Sequence, residues 1–119
     1  MYDNHRIKTI RILLEGLKSS PSKHNESVAF FRSNKLLMSI WLIILDHYYQ
    51  KKKCSIECLI KHIPTEFASR PTIYKQIELA INKDFILRKN SDTDHRVHDL
   101  YPTLTTVNEY EQWVNQLGE

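Results

Sequence analysis

A chain of 119 residues, 41% hydrophobic and 26% charged, has room for one folded domain and is too apolar for wholesale disorder. Its only glycines are Gly16 and Gly118, which excludes glycine-rich phosphate loops and dinucleotide fingerprints, whose backbone must approach a phosphate closely. The formal charge is +3, but all 17 lysines and arginines lie in residues 1–96, leaving that body at +7 and residues 97–119 at −4, so an anionic partner is expected for the body.

The first segment, MYDNHRIKTIRILLEGLK, carries charges throughout and lacks the unbroken apolar region of a signal peptide. A cytoplasmic protein is expected, with Cys54 and Cys58 as reduced thiols. In this segment Ile7, Ile10, Leu14 and Leu17 recur at spacings of 3, 4 and 3, one narrow stripe on a helix from about Asn4 to Lys18. The polar run SSPSKHNES, residues 19–27, reads as a linker. Ser33 or Asn34 then caps a helix reaching about Tyr49, apolar nearly all round and therefore central to the core. Its run LLMSIWLIIL, residues 36–45, is too short to span a bilayer, and no membrane is expected as a partner. Lys51, Lys52 and Lys53 end the helix in a basic loop.

Ser55 caps a short helix with Ile56, Leu59, Ile60 and Ile63 on one face, limited by Pro64, and PTEFA follows as a turn. Ser69 caps the next helix, with Pro71 in the first turn, where its missing amide has no intrahelical acceptor to lose; Ile73, Ile77, Ala80 and Ile81 face inward. FILRK (85–89) and RVHDLY (96–101) read as two strands joined by the polar loop NSDTDH, with Val97, Asp99 and Tyr101 on the face opposite His98 and Leu100. Pro102 breaks the second strand. Thr105 or Thr106 caps a last helix striped by Val107, Tyr110, Val114 and Leu117, with Trp113 alongside.

Two helices joined by a turn and followed by a hairpin predict a winged helix-turn-helix, mainly α with a small β-hairpin wing. Residues 34–103 form the DNA-binding unit, 1–33 supply an N-terminal dimerisation helix and linker, and 104–119 a C-terminal dimerisation helix, all within one compact domain. The stripes Ile7, Ile10, Leu14, Leu17 and Val107, Tyr110, Val114, Leu117 are each too narrow for a core of their own. Packed across a two-fold axis they would make a homodimer with reading helices roughly 34 Å apart, suited to an inverted-repeat operator. Packing within one monomer is the alternative.

A reading helix needs one buried face and short polar or planar groups near its N-terminus. SRPTIYKQ meets that need: Thr72, Lys75 and Gln76 lie outward or flanking, and Ser69 and Arg70 sit at the exposed start. Arg70 suits bidentate pairing with guanine or a phosphate, while Ser69, Thr72 and Tyr74 can donate to phosphate oxygens. Lys51, Lys52, Lys53 and Lys89 are further phosphate contacts. Arg96, on a narrow hairpin, suits a minor groove, with Asp92 and Asp94 beside it to hold its direction. The bland reading is a capped surface helix and an exposed turn ion pair.

The stretch SRPTIYKQIELAINKDFILRKNSDTDHRVHDLYPT resembles the DNA-binding half of the MarR family of winged-helix transcription regulators, a likeness spanning roughly residues 34 to 103. That family's wing is marked by Asp, one residue, Arg, five residues, then Leu-Thr; here Asp94, His95, Arg96 and, after five residues, Pro102 and Thr103 match three of the four specified positions. The resemblance implies that Arg96 reaches the minor groove, that Asp94 orients it, and that the first and last helices build a homodimer. Pro102 departs from the family's Leu. Asp84 stands where a glycine usually ends the reading helix, which is tolerable because Asp can adopt the left-handed conformation at some cost.

Cys54, Cys58 and His62 recur at i, i+4 and i+8, opposite the apolar face of their helix. Three ligands in line on one helix do not enclose a zinc ion without a fourth from elsewhere, and no Cys-x-x-Cys pair occurs, so no metal and no cofactor is expected. Exposed thiols near Lys51–Lys53 would make a thiol- or metal-responsive sensor, one alternative function. The other is a winged-helix protein-interaction adaptor that does not bind DNA. No nucleophile motif accompanies the six histidines, so no enzyme is expected. His95 and His98 would add charge to the wing at mildly acidic pH. No effector ligand follows from these residues.

Overall fold

The structure is a computed structural model that describes Ile7, Ile10 and residues 25–91 and 96–118. Among the described residues from 25 onward, five helices and one hairpin follow in the order α1 (Glu26–Phe31), α2 (Lys35–Tyr49), α3 (Ile56–His62), α4 (Arg70–Asn82), β1 (Ile86–Asn90), β2 (His98–Pro102) and α5 (Leu104–Gly118).

Helix α1 corrects the expected linker, because Glu26 and Ser27 already belong to it. It buries Ser27, Val28 and Phe31 although Asn25, at its N-cap, makes no side-chain cap bond. The missing acceptor comes from far along the chain: Glu109 Oε1 accepts from the Ser27 amide at 2.9 Å and from the Ser27 hydroxyl at 2.8 Å. Unpaired amides open every helix, and a buried one without an acceptor costs about 1–3 kcal/mol.

Helix α2 starts at Asn34, whose side chain accepts from the Leu37 amide at 2.8 Å. It forms the centre of the core, with Ile40, Trp41, Ile44 and Leu45 buried. Trp41 stacks on Phe31 at 5.9 Å and meets Tyr110 and Trp113, both of α5, at 5.5 Å. The helix ends in a Schellman motif: Lys51 takes φ 58°, and the amides of Lys51 and Lys52 donate to the carbonyls of Tyr48 and His47. Helix α4 ends the same way. Asp84, at φ 63°, occupies the left-handed position, and the amides of Asp84 and Phe85 donate to the carbonyls of Ile81 and Ala80.

The caps read from the sequence at Ser55 and Ser69 are present, their hydroxyls accepting from the amides of Cys58 at 3.1 Å and Thr72 at 3.4 Å. The last helix differs. Its cap is Thr103, whose hydroxyl oxygen accepts from the Thr106 amide at 3.3 Å; Thr105 lies inside the helix and Thr106 donates its hydroxyl to the Phe85 carbonyl at 2.7 Å. Exposed Leu104 is already helical, which shifts the start from the threonine pair.

The strands pair antiparallel with Ile86 opposite Pro102 and Asn90 opposite His98, so each lies slightly later than its sequence pattern suggested. Pro102 is the last residue of β2, so the strand ends at it and not before it. The expected alternation along β2 also fails, because Asp99 and Leu100 are both buried. Residues before α3 pair with the edge of β2: Ser55 bridges Asp99, and the Leu100 amide donates to the Cys54 carbonyl at 2.8 Å. With successive side chains buried on opposite faces, the period-two signal is lost. Among the described residues no helix is long and apolar enough to cross a membrane.

Candidate nucleic-acid interface

Helix α4 buries Ile73, Ile77 and Ala80, leaving Ile81 half-buried. That fixes the rotation of the helix, and Ser69, Arg70, Thr72, Tyr74 and Lys75 are consequently exposed while Gln76 is half-buried. The hydroxyls of Ser69 and Thr72 lie 3.0 Å apart at the helix start. Two hydroxyls and the first-turn amides thus gather at the positive end of the helix dipole, a setting that favours an anion.

Glu57, one residue into α3, organises this surface and was not singled out from the sequence. Its carboxylate pairs with the Arg70 guanidinium and accepts from the Tyr74 hydroxyl at 3.2 Å. Partial burial, then the hydrogen bond to Glu57, push the Tyr74 phenol up from its ordinary value, so it remains a neutral donor. The contacts span 13 and 17 residues and depend on how α3 crosses α4, which no local pattern encodes. The Arg70 and Glu57 side chains are 53% and 55% exposed, so their pairing is worth about 0–1 kcal/mol.

Arg88 on β1 pairs with Glu78 on α4, fastening the hairpin to that helix. Lys89 is exposed, with its ammonium 5.6 Å from the centre of the Tyr101 ring across the hairpin. The Ser91 amide donates to the Val97 carbonyl at 2.8 Å and closes the wing. Arg96 is exposed in the turn; Asp92, Asp94 and His95 lie outside the described residues. Lys51, Lys52 and Lys53 are exposed along the loop that leads to Cys54.

The remaining expectations divide. Ile7 and Ile10 are helical and 38% and 56% exposed, whereas Leu14 and Leu17 lie outside the described residues. On α5, Val107 is buried in the chain's own core, Tyr110 and Leu117 are half-buried, and Val114 is exposed. Cys54 is not an exposed thiol: it is 1% exposed, and burial, then its neighbours Cys58 and Asp99, push it up to about 12. Its backbone is drawn against β2, which no helix-period reading of Cys54, Cys58 and His62 anticipates. Among the described residues no group of three or more histidine, cysteine or acidic side chains is arranged to hold a metal.

No protein-family model matches the chain, and no curated protein matches it in sequence. Solved structures match it in fold. A mutant of MepR from S. aureus, bound to an oligodeoxyribonucleotide, aligns with a TM-score of 0.59 at 13% identity over 97% of this chain and 76% of that one. YusO from Bacillus subtilis aligns at 0.57 and 13% identity over 99% and 79% of the two chains. The transcriptional regulator Tm0710 from Thermotoga maritima aligns at 0.58 and 14% identity over 91% and 71%. The chain has the winged helix-turn-helix fold of MarR-family structures, mostly helical with one two-stranded hairpin.

Proposed function

We propose that the chain is a sequence-specific, double-stranded DNA-binding transcription regulator, non-enzymatic and cytoplasmic, that acts as a homodimer on an inverted-repeat operator. One observation carries this reading: a capped helix with a buried Ile73–Ile77–Ala80 face offers Ser69, Arg70, Thr72 and Lys75 to solvent, beside a hairpin bearing exposed Arg96. The same fold occurs in the MepR mutant described as bound to an oligodeoxyribonucleotide. In this reading Arg70, Lys75 and Gln76 face base edges, while Ser69, Thr72, Tyr74, Lys89 and Lys51–Lys53 take phosphates. Arg96 enters the adjacent minor groove under the direction of Asp94. Residues 34–103 form the reading unit and 1–33 with 104–119 the dimerisation region, a role supported by the exposed apolar groups Ile7, Ile10 and Val114.

Selection from a random duplex pool tests it. Recovery of a palindromic site, with affinity falling steeply as salt rises and lost in Arg96→Ala and Lys75→Ala, is the expected result. Absence of duplex binding even at low salt would reject the reading and leave the interaction adaptor.

A further inference from the structure

Cys58 has no part in the proposed reading surface, yet it sits in a built environment. Its Sγ lies half-buried on α3, 3.7 Å from His47 Nε2 on α2 and 3.9 Å from His62 Nδ1. His47 Nδ1 is 2.8 Å from the Ile43 carbonyl. A carbonyl only accepts, so Nδ1 carries the hydrogen and Nε2 presents its lone pair to the thiol. The same reasoning places a hydrogen on His62 Nδ1, 2.8 Å from the Cys58 carbonyl, with that N–H beside the sulfur. The two rings meet edge to face at 5.7 Å. Nucleophile, base and a group that fixes the tautomer of the base therefore stand in series, the arrangement that activates a side-chain nucleophile.

We propose that Cys58 is a covalent modification site for soft electrophiles of the Michael-acceptor class, with His47 as its general base. Nε2 takes the thiol proton, Sγ attacks the β-carbon of the activated alkene, and the π electrons move onto the carbonyl to give an enolate. His47 then returns the proton to the α-carbon. One C–S and one C–H bond replace an S–H bond and a C=C π bond, without oxidant or leaving group. An activated alkene needs a base first and an acid second at one place, which a single imidazole supplies. Cys54, four residues earlier and 1% exposed, has no such neighbours among its contacts and serves as an internal control.

The adduct has a route to the reading helix. Cys58 adjoins Glu57 on α3, which holds Arg70 and Tyr74, and a group wedged between α2 and α3 would shift α3 and carry that carboxylate with it. This second step rests on the proposed DNA binding; the chemistry at sulfur does not.

The test adds N-ethylmaleimide to the full chain at neutral pH and follows adducts by intact mass and peptide mapping. One adduct on Cys58, none on Cys54, and a rate at least about tenfold lower in a folded His47→Gln variant are expected. Comparison with the urea-unfolded wild type needs no variant: a half-buried thiol that reacts faster in the native state than unfolded supports the proposal, and one that reacts no faster overturns it. Modified protein should lose duplex affinity while maleimide-treated Cys58→Ser keeps it; unchanged affinity after complete modification overturns the link to Glu57. Absence of duplex binding before modification would reject the DNA reading alone, since the reaction rates still decide the chemistry.

Discussion

Arg70 at the start of α4 and Glu57 in the first turn of α3 form an ion pair across the turn of the helix-turn-helix. The pair sets a negative charge beside Arg70, the residue proposed to meet DNA. Both partners are more than half exposed, so little stability is at stake.

Glu57→Gln should therefore tighten duplex binding by about two- to fivefold while shifting unfolding free energy by no more than about 0.5 kcal/mol. Fluorescence anisotropy at low salt, beside a urea melt, measures both. Weaker binding by a stable variant would mean that Glu57 positions Arg70 productively.

The bond between Glu109 and Ser27 joins α5 to α1 in a buried setting, so it matters more than the surface pair. Glu109→Ala strands a buried amide and hydroxyl and should cost about 1–3 kcal/mol in chemical denaturation. Glu109→Gln retains a carbonyl oxygen and should cost distinctly less. Equal losses would show that charge, and not the acceptor, holds α1.

Asp84 supplies a left-handed residue with a side chain at the end of α4. The local bonds use its backbone: its amide donates to Ile81, and its carbonyl accepts from the Thr103 hydroxyl at 2.8 Å. Asp84→Gly keeps both and should raise stability by up to about 1 kcal/mol, whereas Asp84→Val should lower it by about 1–2 kcal/mol. Thermal melts rank the three proteins.

Cys54 makes stability depend on alkaline pH. Burial raises its thiol from the ordinary 9.0 to about 12, so between those values the folded form keeps a proton that the unfolded chain releases. That contribution is complete below 9.0 and is lost as pH climbs towards about 12. Urea melts at stepped pH should therefore decline more steeply in that window for the wild type than for Cys54→Ala. Parallel curves would contradict the burial of the thiol.

The parts of the fold legible in the sequence are those whose cause is local. Asn34, Ser55 and Ser69 each cap a helix within three residues of the amide they serve, and Pro71 marks the third start. The left-handed Asp84 came from the family resemblance, in which a glycine usually ends this helix. Helix α1 was not, since the acceptor that completes it sits 82 residues away. Nor was the burial of Cys54 and Asp99, whose segments pair edge to edge only after the chain has doubled back. At the site, exposure of Ser69, Arg70, Thr72 and Lys75 followed from helical period alone. The role of Glu57 depended on the crossing of α3 and α4.

The hydrogen bond from Leu100 to Cys54, with the bridge between Asp99 and Ser55, stitches the root of the wing to the entry of α3. Arg88 and Glu78 fasten the same hairpin to α4. The wing is thereby tied to both helices of the helix-turn-helix, by backbone pairing at the entry of α3 and by an ion pair at α4. If the proposed dimer binds DNA, a signal that weakens that contact is expected to swing this headpiece bodily, changing its spacing from a twin rather than its shape.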